Sequence, residues 1–340
     1  MKRWITLAVV TMIALNGCGG SGDQTAGGDD RVKIAYVTNG VDPFWSIAAA
    51  GVRAAAKDFD VDCEVLMPPK GLVDQKRMIE SLLAKGIQGI AVSPIDAANQ
   101  VQFLDEVAAN TNLITQDSDA PDSNRICFIG MNNYAAGREA GKMMKDALPD
   151  GGNIMIFVGR LEQLNAQQRR QGVIDELLDR PIQNLDDLQV DSPGARLEGE
   201  KYTIIGTLTD NFDYAKAKSN AEDTIAANAD INGMIGLFAY NMPACIEAVK
   251  EAGKLGQIKL ASFDEDERTL QGIIDGHVQG TVSQQPYQYG YQSVRVLAGL
   301  ARGDKSVLPE GGFLNIPVTL VTSENAVAFR EELAKLKGGQ

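Results

Sequence analysis

Polar side chains and aromatic rings follow the apolar segments of this chain at regular intervals. Examples are "TNGVDPFW", "QDSD", "TDNF", "AYN", "FDED" and "SQQP". Carboxylates and amides can pair with hydroxyls that both donate and accept, and rings can cover C–H faces. A buried hydroxyl without a partner costs about 1–3 kcal/mol, so a site of this kind rejects a wrong epimer. These segments therefore predict a site for a small ligand rich in hydroxyl groups.

The same segments contain little that could form a reaction centre. The chain has one histidine, His277, in the turn-like segment "DGHVQG". The sequence contains no nucleophile elbow, no Walker motif, no H-E-x-x-H and no dinucleotide glycine fingerprint. Carboxylates alone would have to perform any acid–base step. We therefore predict a binding protein without enzymatic activity and without a cofactor.

The spacing of the cysteines that follow residue 18 also disfavours a metal site. Cys63, Cys127 and Cys245 are far apart and show no C-x-x-C spacing. An odd number of thiols cannot pair completely within one chain. We expect Cys127 and Cys245 to be buried thiols, because both lie in apolar segments.

Composition and charge narrow the class of protein further. The 340 residues are 44% hydrophobic and 23% charged, which is typical of globular proteins and excludes wholesale disorder, a collagen-like chain and a coiled coil. The formal net charge of −13 disfavours binding to a nucleic-acid backbone.

The beginning of the chain has the pattern of an export signal. Lys2 and Arg3 precede an apolar stretch that is too short to cross a bilayer and that ends in "LNGC". This pattern resembles a bacterial lipoprotein signal, with residues 1–17 removed and a lipid on Cys18; ordinary secretion with cleavage elsewhere is the alternative. Residues 18–30 are rich in Gly and predict a flexible tether. We therefore expect a protein of the periplasm or cell surface, attached to the membrane only through its lipid anchor.

The elements that must position these polar segments alternate between short apolar strands and amphipathic helices. "VKIAYVT" predicts the first strand and "PFWSIAAAGVRAAAKDF" the first helix. A β-α-β-α order predicts a parallel, doubly wound sheet, in which ligands bind beyond the carboxyl ends of the strands. The order starts again near residue 132, which predicts two similar lobes. Residues 180–200 are polar and predict an irregular surface excursion.

Five motifs make the prediction more specific, in the order "DPFW", "ITQDSDAP", "FAYN", "ASFDEDERTL" and "GTVSQQPYQYGYQS". Together they resemble the periplasmic sugar-binding proteins, the ribose/galactose type of ABC-transporter solute receptor. The resemblance implies the α/β fold of type I periplasmic binding proteins: two doubly wound parallel-sheet lobes joined by a three-crossing hinge. The implied first lobe contains residues 31–131 plus 285–314, and the second lobe contains residues 132–284 plus 315–340.

The resemblance also assigns ligand-binding residues in the first lobe. These are Asp42, Phe44, Trp45, Asp117 and Ser118. Asp42 could instead cap the first helix, and one of the two rings could belong to the core. Ser118 stands where ribose-type members have Arg, so a strong donor is missing and ribose itself is in doubt; Asp119 is an alternative to Ser118.

In the second lobe the implied ligand contacts are Arg169, Phe212, Asn241 and Asp264, and the hinge contributes Gln284. Gln167 competes with Arg169 for the same role. Phe212 could belong to the core, and Asp264 could only cap the next helix.

The function implied by the resemblance is capture of a monosaccharide or polyol and its delivery to an ABC permease, by a monomer. The alternative is a sensor that presents bound sugar to a membrane receptor or kinase, which the sequence does not separate from transport. A transcription regulator of the same fold would need a DNA-binding motif where this chain has its signal and acidic tether.

Overall fold

The computed structural model describes residues 31–338. The predicted signal (1–17), the tether (18–30) and Cys18 lie outside the described residues. The strands are β1 (Val32–Val37), β2 (Val61–Leu66), β3 (Gly89–Val92), β4 (Asn112–Gln116), β5 (Phe128–Gly130), β6 (Gly152–Val158), β7 (Leu197–Glu198), β8 (Tyr202–Thr209), β9 (Ile231–Gly236), β10 (Lys259–Phe263), β11 (Gly280–Ser283), β12 (Phe313–Asn315) and β13 (Thr319–Thr322).

Helices alternate with the strands through most of the described chain. They are α1 (Pro43–Asp58), α2 (Leu72–Ala84), α3 (Ala97–Ala108), α4 (Asn133–Ala147), α5 (Leu164–Leu177), α6 (Tyr214–Ala227), α7 (Asn241–Glu251), α8 (Glu267–Ile274), α9 (Pro286–Ala301) and α10 (Ala326–Gly338). The predicted β-α-β-α order is confirmed, together with the fold of two α/β lobes.

The first lobe is built on a six-stranded sheet in the order β12-β5-β4-β3-β1-β2, and all of its strand pairs are parallel. Helices cover both faces, as a parallel sheet requires. Ile34, Ile90 and Ile114 in its central strands are fully buried. This packing fixes the carboxyl ends of β1 and β4 at one edge of the lobe.

The second lobe is built on a seven-stranded sheet in the order β13-β11-β10-β9-β6-β8-β7. Its five central strands are parallel, whereas the edge strands β13 and β7 pair antiparallel. β7 belongs to the predicted excursion, which is less irregular than expected. Arg170 anchors that segment, because its guanidinium donates to the carbonyls of Asp191 and Ser192.

The chain passes between the two sheets three times. It does so between β5 and α4, between β11 and α9, and between β12 and β13. α9 packs against α1 of the first lobe, and α4 packs against α5 of the second. Asn315 pairs with Gly130 and so remains in the first-lobe sheet, one residue beyond the predicted boundary at 314.

Candidate ligand-binding site

A cavity of about 580 Å³ lies between the two lobes. Its volume is in the range of small-molecule sites, roughly 300–1,000 Å³. The first lobe lines it with Asn39, Gly40, Val41, Asp42, Phe44, Trp45, Pro68, Pro69, Gly71 and Asp117. The second lobe and the crossing after β11 line it with Arg160, Gln163, Asn165, Arg169, Asn211, Phe212, Tyr214, Phe238, Ala239, Tyr240, Asp264 and Gln284.

Two buried carboxylates occupy equivalent places in the two lobes. Asp117 follows β4 and Asp264 follows β10, and both have a positive φ, of 61° and 65°. The N–H of Asp117 donates to Ile129 O at 3.0 Å, and the N–H of Asp264 donates to Val282 O at 3.0 Å. The backbone therefore stays bound to the neighbouring strand while the left-handed turn directs each side chain to the cavity.

Arg169 lies between these carboxylates. Its Nη2 is 4.0 Å from Asp117 Oδ1 and its Nη1 is 4.0 Å from Asp264 Oδ2. The guanidinium is 1% exposed and lies over the ring of Phe263 at 5.1 Å. Nη2 has no hydrogen-bond partner among the described residues. Because a buried donor without a partner is costly, this atom is a candidate contact for a ligand hydroxyl.

The orientation of Arg169 follows from the packing of α4 on α5. The two helices approach so closely that a Cβ on Gly137 would lie 2.1 Å from the carbonyl oxygen of Arg169. Arg169 Nε donates to Asn133 Oδ1 at 2.9 Å, and Nη1 donates to Leu237 O at 3.2 Å. Arg169 is therefore held by α4 and by the backbone just after β9.

Burial dominates the electrostatics of the acidic residues. It raises the pKa of Asp117 to about 6, although Arg169 and the hydrogen bond from Ser93 act in the opposite direction. Burial also raises the pKa of Asp42 to about 6 and raises the pKa of Asp264. Each carboxylate has a neutral donor as well: Ser93 Oγ lies 2.9 Å from Asp117 Oδ2, and Gln284 Nε2 lies 2.7 Å from Asp264 Oδ1.

Aromatic rings line the cavity from both lobes. Phe44 and Trp45 meet edge to face, with centroids 4.9 Å apart, and Phe212 stacks on Phe238 at 5.7 Å. Trp45 is 4% exposed and packs on the core while it also lines the cavity. Asp42 also lines the cavity, and it accepts a hydrogen bond from Phe44 N at 2.8 Å as the cap of α1.

Eight of the ten predicted ligand-binding residues line the cavity, and Ser118 and Asn241 do not. Ser118 is fully buried directly after Asp117. Asn241 turns inward, because its Nδ2 donates to Asp210 Oδ2 at 2.8 Å and its Oδ1 accepts from Phe238 N at 3.0 Å. Asp210 also accepts from Phe212 N and from the hydroxyl of Tyr240, so it organises the aromatic side of the second lobe.

Of Arg169 and Gln167, only Arg169 lines the cavity. Gln167 donates to Leu161 O at 2.6 Å and does not line the cavity.

Several lining residues were not predicted. Gln163 is fully buried, and neither of its side-chain polar atoms has a partner among the described residues. Asn165 Nδ2 reaches Asp117 Oδ2 at 3.5 Å from the opposite lobe. Both lie in the segment "GRLEQLN", which follows the carboxyl end of β6. That position is the sequence feature from which their place in the cavity could have been predicted. Tyr240 immediately precedes the predicted Asn241, at the start of α7.

Among residues 31–338, no helix is long and apolar enough to cross a membrane. The three cysteines in this range are free thiols, and Cys127 and Cys245 are buried as expected. No group of three or more His, Cys, Asp or Glu side chains in the described part of the chain is arranged to hold a metal ion.

Comparisons with known proteins agree with this architecture. A family profile, described as a periplasmic binding protein domain, matches residues 34–305. The D-ribose/D-allose-binding protein of Pseudomonas aeruginosa is 20% identical, over 86% of this chain and 90% of that protein. The D-apiose import binding protein of Paraburkholderia graminis is 22% identical, over 96% of both chains.

A solved structure has the same fold. The crystal structure of an ABC transporter solute binding protein from Burkholderia graminis, in complex with D-arabinose, superposes with a TM-score of 0.77. It is 24% identical and the alignment covers 86% of this chain and 96% of that chain.

Proposed function

This chain belongs to the periplasmic binding protein domain family, and from that membership we propose that it captures a monosaccharide or related polyol in the interlobe cavity and delivers it to an ABC permease. The family is one of sugar-binding transport proteins located outside the cytoplasm, not of enzymes.

The observation that carries this proposal is the position of Arg169 between two carboxylates from opposite lobes. At 4.0 Å from each, its nitrogens are too distant for hydrogen bonds, which normally measure 2.7–3.2 Å. Hydroxyl groups between them could accept from Arg169 and donate to Asp117 and Asp264 at the same time. The aromatic rings on both sides supply contacts for the C–H faces of a sugar.

Closure of the two lobes is part of the proposal. Asp42, Phe44, Trp45 and Asp117 belong to the first lobe, whereas Arg169, Phe212 and Asp264 belong to the second. A ligand that contacts both sets favours the closed state by its differential affinity. The three crossings between the sheets act as the hinge, since a few residues there can absorb the dihedral change.

Attachment to the membrane is proposed from the sequence. A lipid on Cys18, after removal of residues 1–17, would hold the protein at the membrane, with residues 18–30 as its tether. We propose that it acts there as a monomer.

A thermal-shift screen followed by isothermal titration tests the binding function. The panel contains D-ribose, D-allose, D-apiose, D-arabinose, D-tagatose, D-fucose and simple polyols, several of which occur in the names of related proteins. A ligand at 100 times its Kd stabilises the native state by about 2.7 kcal/mol. We expect at least one sugar or polyol to raise Tm with wild-type protein, and Asp264→Ala to abolish that shift.

Two results would contradict the proposal. One is the absence of any shift across a complete set of pentoses, hexoses and polyols. The other is equal binding by Asp264→Ala. Delivery is tested separately, by uptake of the identified sugar in a strain lacking the gene; wild-type protein should restore uptake and Asp264→Ala should not.

A further inference from the structure

Four arginines in the described part of the chain lie over aromatic rings, and one of them differs from the others. Arg138, Arg169 and Arg268 all direct guanidinium nitrogens at acceptors. Arg160 lies over the ring of Phe212 with Cζ 4.9 Å from the centroid. Within residues 31–338 its guanidinium has no hydrogen-bond or salt-bridge partner.

Arg160 lies at the outer end of the cavity. Phe212 beneath it is 41% exposed, whereas Asp117, Arg169 and Asp264 at the cavity floor are at most 4% exposed. Arg160 also reaches the first lobe, where a Cβ on Gly71 would lie 3.6 Å from Nη1. The guanidinium is therefore stacked on one lobe and faces the other across the entrance.

The cation–π contact with Phe212 holds the guanidinium over the ring, and its N–H groups have no partner among residues 31–338. A planar arginine held in this way is suited to bidentate binding of a carboxylate or phosphate. Gln163, three residues further along the same loop, lines the same cavity and is fully buried with both side-chain polar atoms unpaired. Gln163 lies deep in the cavity, as its burial shows, whereas Arg160 lies at the entrance, where an anionic group of the ligand would supply the missing partner.

The charges in the cavity are unevenly distributed. The floor contains Asp117 and Asp264 with Arg169 between them, and Asp42 lines the same cavity without a basic partner. An anionic group would be repelled from these carboxylates, but it would be attracted at the entrance. A suitable ligand thus has hydroxyls at one end and a negative charge at the other.

We propose that the ligand is a sugar with an anionic substituent, a carboxylate or a phosphate, and that Arg160 binds this substituent at the entrance of the cleft. This inference rests on the proposed sugar-binding function and specifies the class of sugar.

Isothermal titration with matched ligands tests the inference. The sets are D-glucose, D-glucuronate and D-glucose 6-phosphate; D-galactose, D-galacturonate and D-galactose 6-phosphate; and D-ribose, D-ribonate and D-ribose 5-phosphate. In at least one set we expect an anionic member to bind at least tenfold more tightly than its neutral parent. If the sugar acid binds more tightly, the substituent is a carboxylate; if the sugar phosphate binds more tightly, it is a phosphate. Rising salt should weaken the anionic ligand more than its parent.

Arg160→Gln should lower affinity for the anionic member at least tenfold more than for its parent. Arg196→Gln is the matched control: it removes the same charge from an exposed arginine of the second lobe, 3.5 Å from Glu198 and outside the cavity lining, and should change neither affinity. The inference is overturned if neutral parents bind as tightly as both anionic members in every set, or if Arg160→Gln weakens both classes equally. Binding of neutral sugars alone leaves the proposed function standing; binding of no sugar overturns both.

Discussion

The two lobes present the same carboxylate at the same place but support it differently. Asp117 and Asp264 each follow a strand with a positive φ and remain bound through their N–H to the neighbouring strand. In the second lobe Asp264 has Arg169 and Gln284 as partners. In the first lobe Asp117 has only neutral donors, and its basic partner belongs to the other lobe.

This difference implies a division of roles. The second lobe contains both members of a charge pair, so it remains balanced when the lobes separate. The first lobe contains a buried carboxylate whose nearest basic group comes from outside. Burial of an unpaired charge is costly, so closure of the lobes, which brings Arg169 near Asp117, lowers the electrostatic cost of the Asp117 carboxylate. The two lobes have the same fold, but only the first lobe depends on the other lobe for the basic partner of its buried carboxylate.

Removal of the two carboxylates should give the largest effects and should separate these roles. We expect Asp264→Ala and Asp117→Ala each to weaken sugar binding about 100-fold, because hydrogen bonds to charged groups contribute about 1.5–3 kcal/mol each. Without ligand, Asp264→Ala should lower Tm, since Arg169 and Gln284 lose a partner in their own lobe. Asp117→Ala should lower Tm less, because the loss of its contacts with Ser93 and Arg169 is partly offset by removal of a buried charge that has no basic partner in its own lobe. Titration and thermal melts measure both quantities.

The opposite order of Tm values, or an equal loss of stability in both variants, would show that the lobes are supported in the same way. Asp264→Asn and Asp117→Asn provide matched controls that retain the shape of each side chain. If the asparagine variants behave like the alanine variants, charge rather than packing is responsible.

The strand-end carboxylates could be predicted from sequence because their position depends on local order. A parallel sheet brings the ends of β4 and β10 to the edge where ligands bind, whatever the remaining side chains do. Arg169 was predicted from the resemblance instead, with Gln167 as a competitor, because Arg169 lies within α5 and not at a strand end.

The inward turn of Asn241 could not be predicted in this way. It depends on Asp210, a buried carboxylate 31 positions earlier in the sequence that also accepts the Tyr240 hydroxyl. Whether Asn241 or Tyr240 lines the cavity is decided by that tertiary contact. Gln163 and Asn165 were missed because loop polarity alone does not show which side chains point inward.

A change of pH should give a smaller effect and test the first lobe in particular. The pKa values of Asp42 and Asp117 are raised to about 6 by burial, so both carboxyls take up protons between pH 7 and pH 5. A protonated carboxyl accepts a ligand hydroxyl less well, so we expect affinity to fall about tenfold per carboxyl that must be ionised over that range. Asp117→Asn should flatten the dependence.

Stability without ligand should change in the opposite direction. These carboxyls have a higher pKa in the folded protein than the ordinary value of 3.8, so the folded state binds more protons between pH 4 and pH 6. The contribution of these carboxyls to the free energy of unfolding therefore rises as pH falls through about 6 towards 4.

A Kd that stays constant from pH 7 to pH 5 would mean that neither first-lobe carboxylate accepts from the ligand.

The smallest expected effect compares two buried serines of the first lobe. Ser93 Oγ donates to Asp117 Oδ2 at 2.9 Å and accepts from Asn39 Nδ2 at 3.2 Å, whereas Ser118 Oγ has no partner among residues 31–338. Ser93→Ala should weaken sugar binding about three- to tenfold, because Ser93 orients Asp117 but does not itself line the cavity. Ser118→Ala should change affinity less than about twofold and leave Tm unchanged or higher, since an unpaired hydroxyl is removed from the core. A large loss of affinity in Ser118→Ala with normal Tm would instead mean that the Ser118 hydroxyl contacts the ligand directly, next to the carboxylate of Asp117.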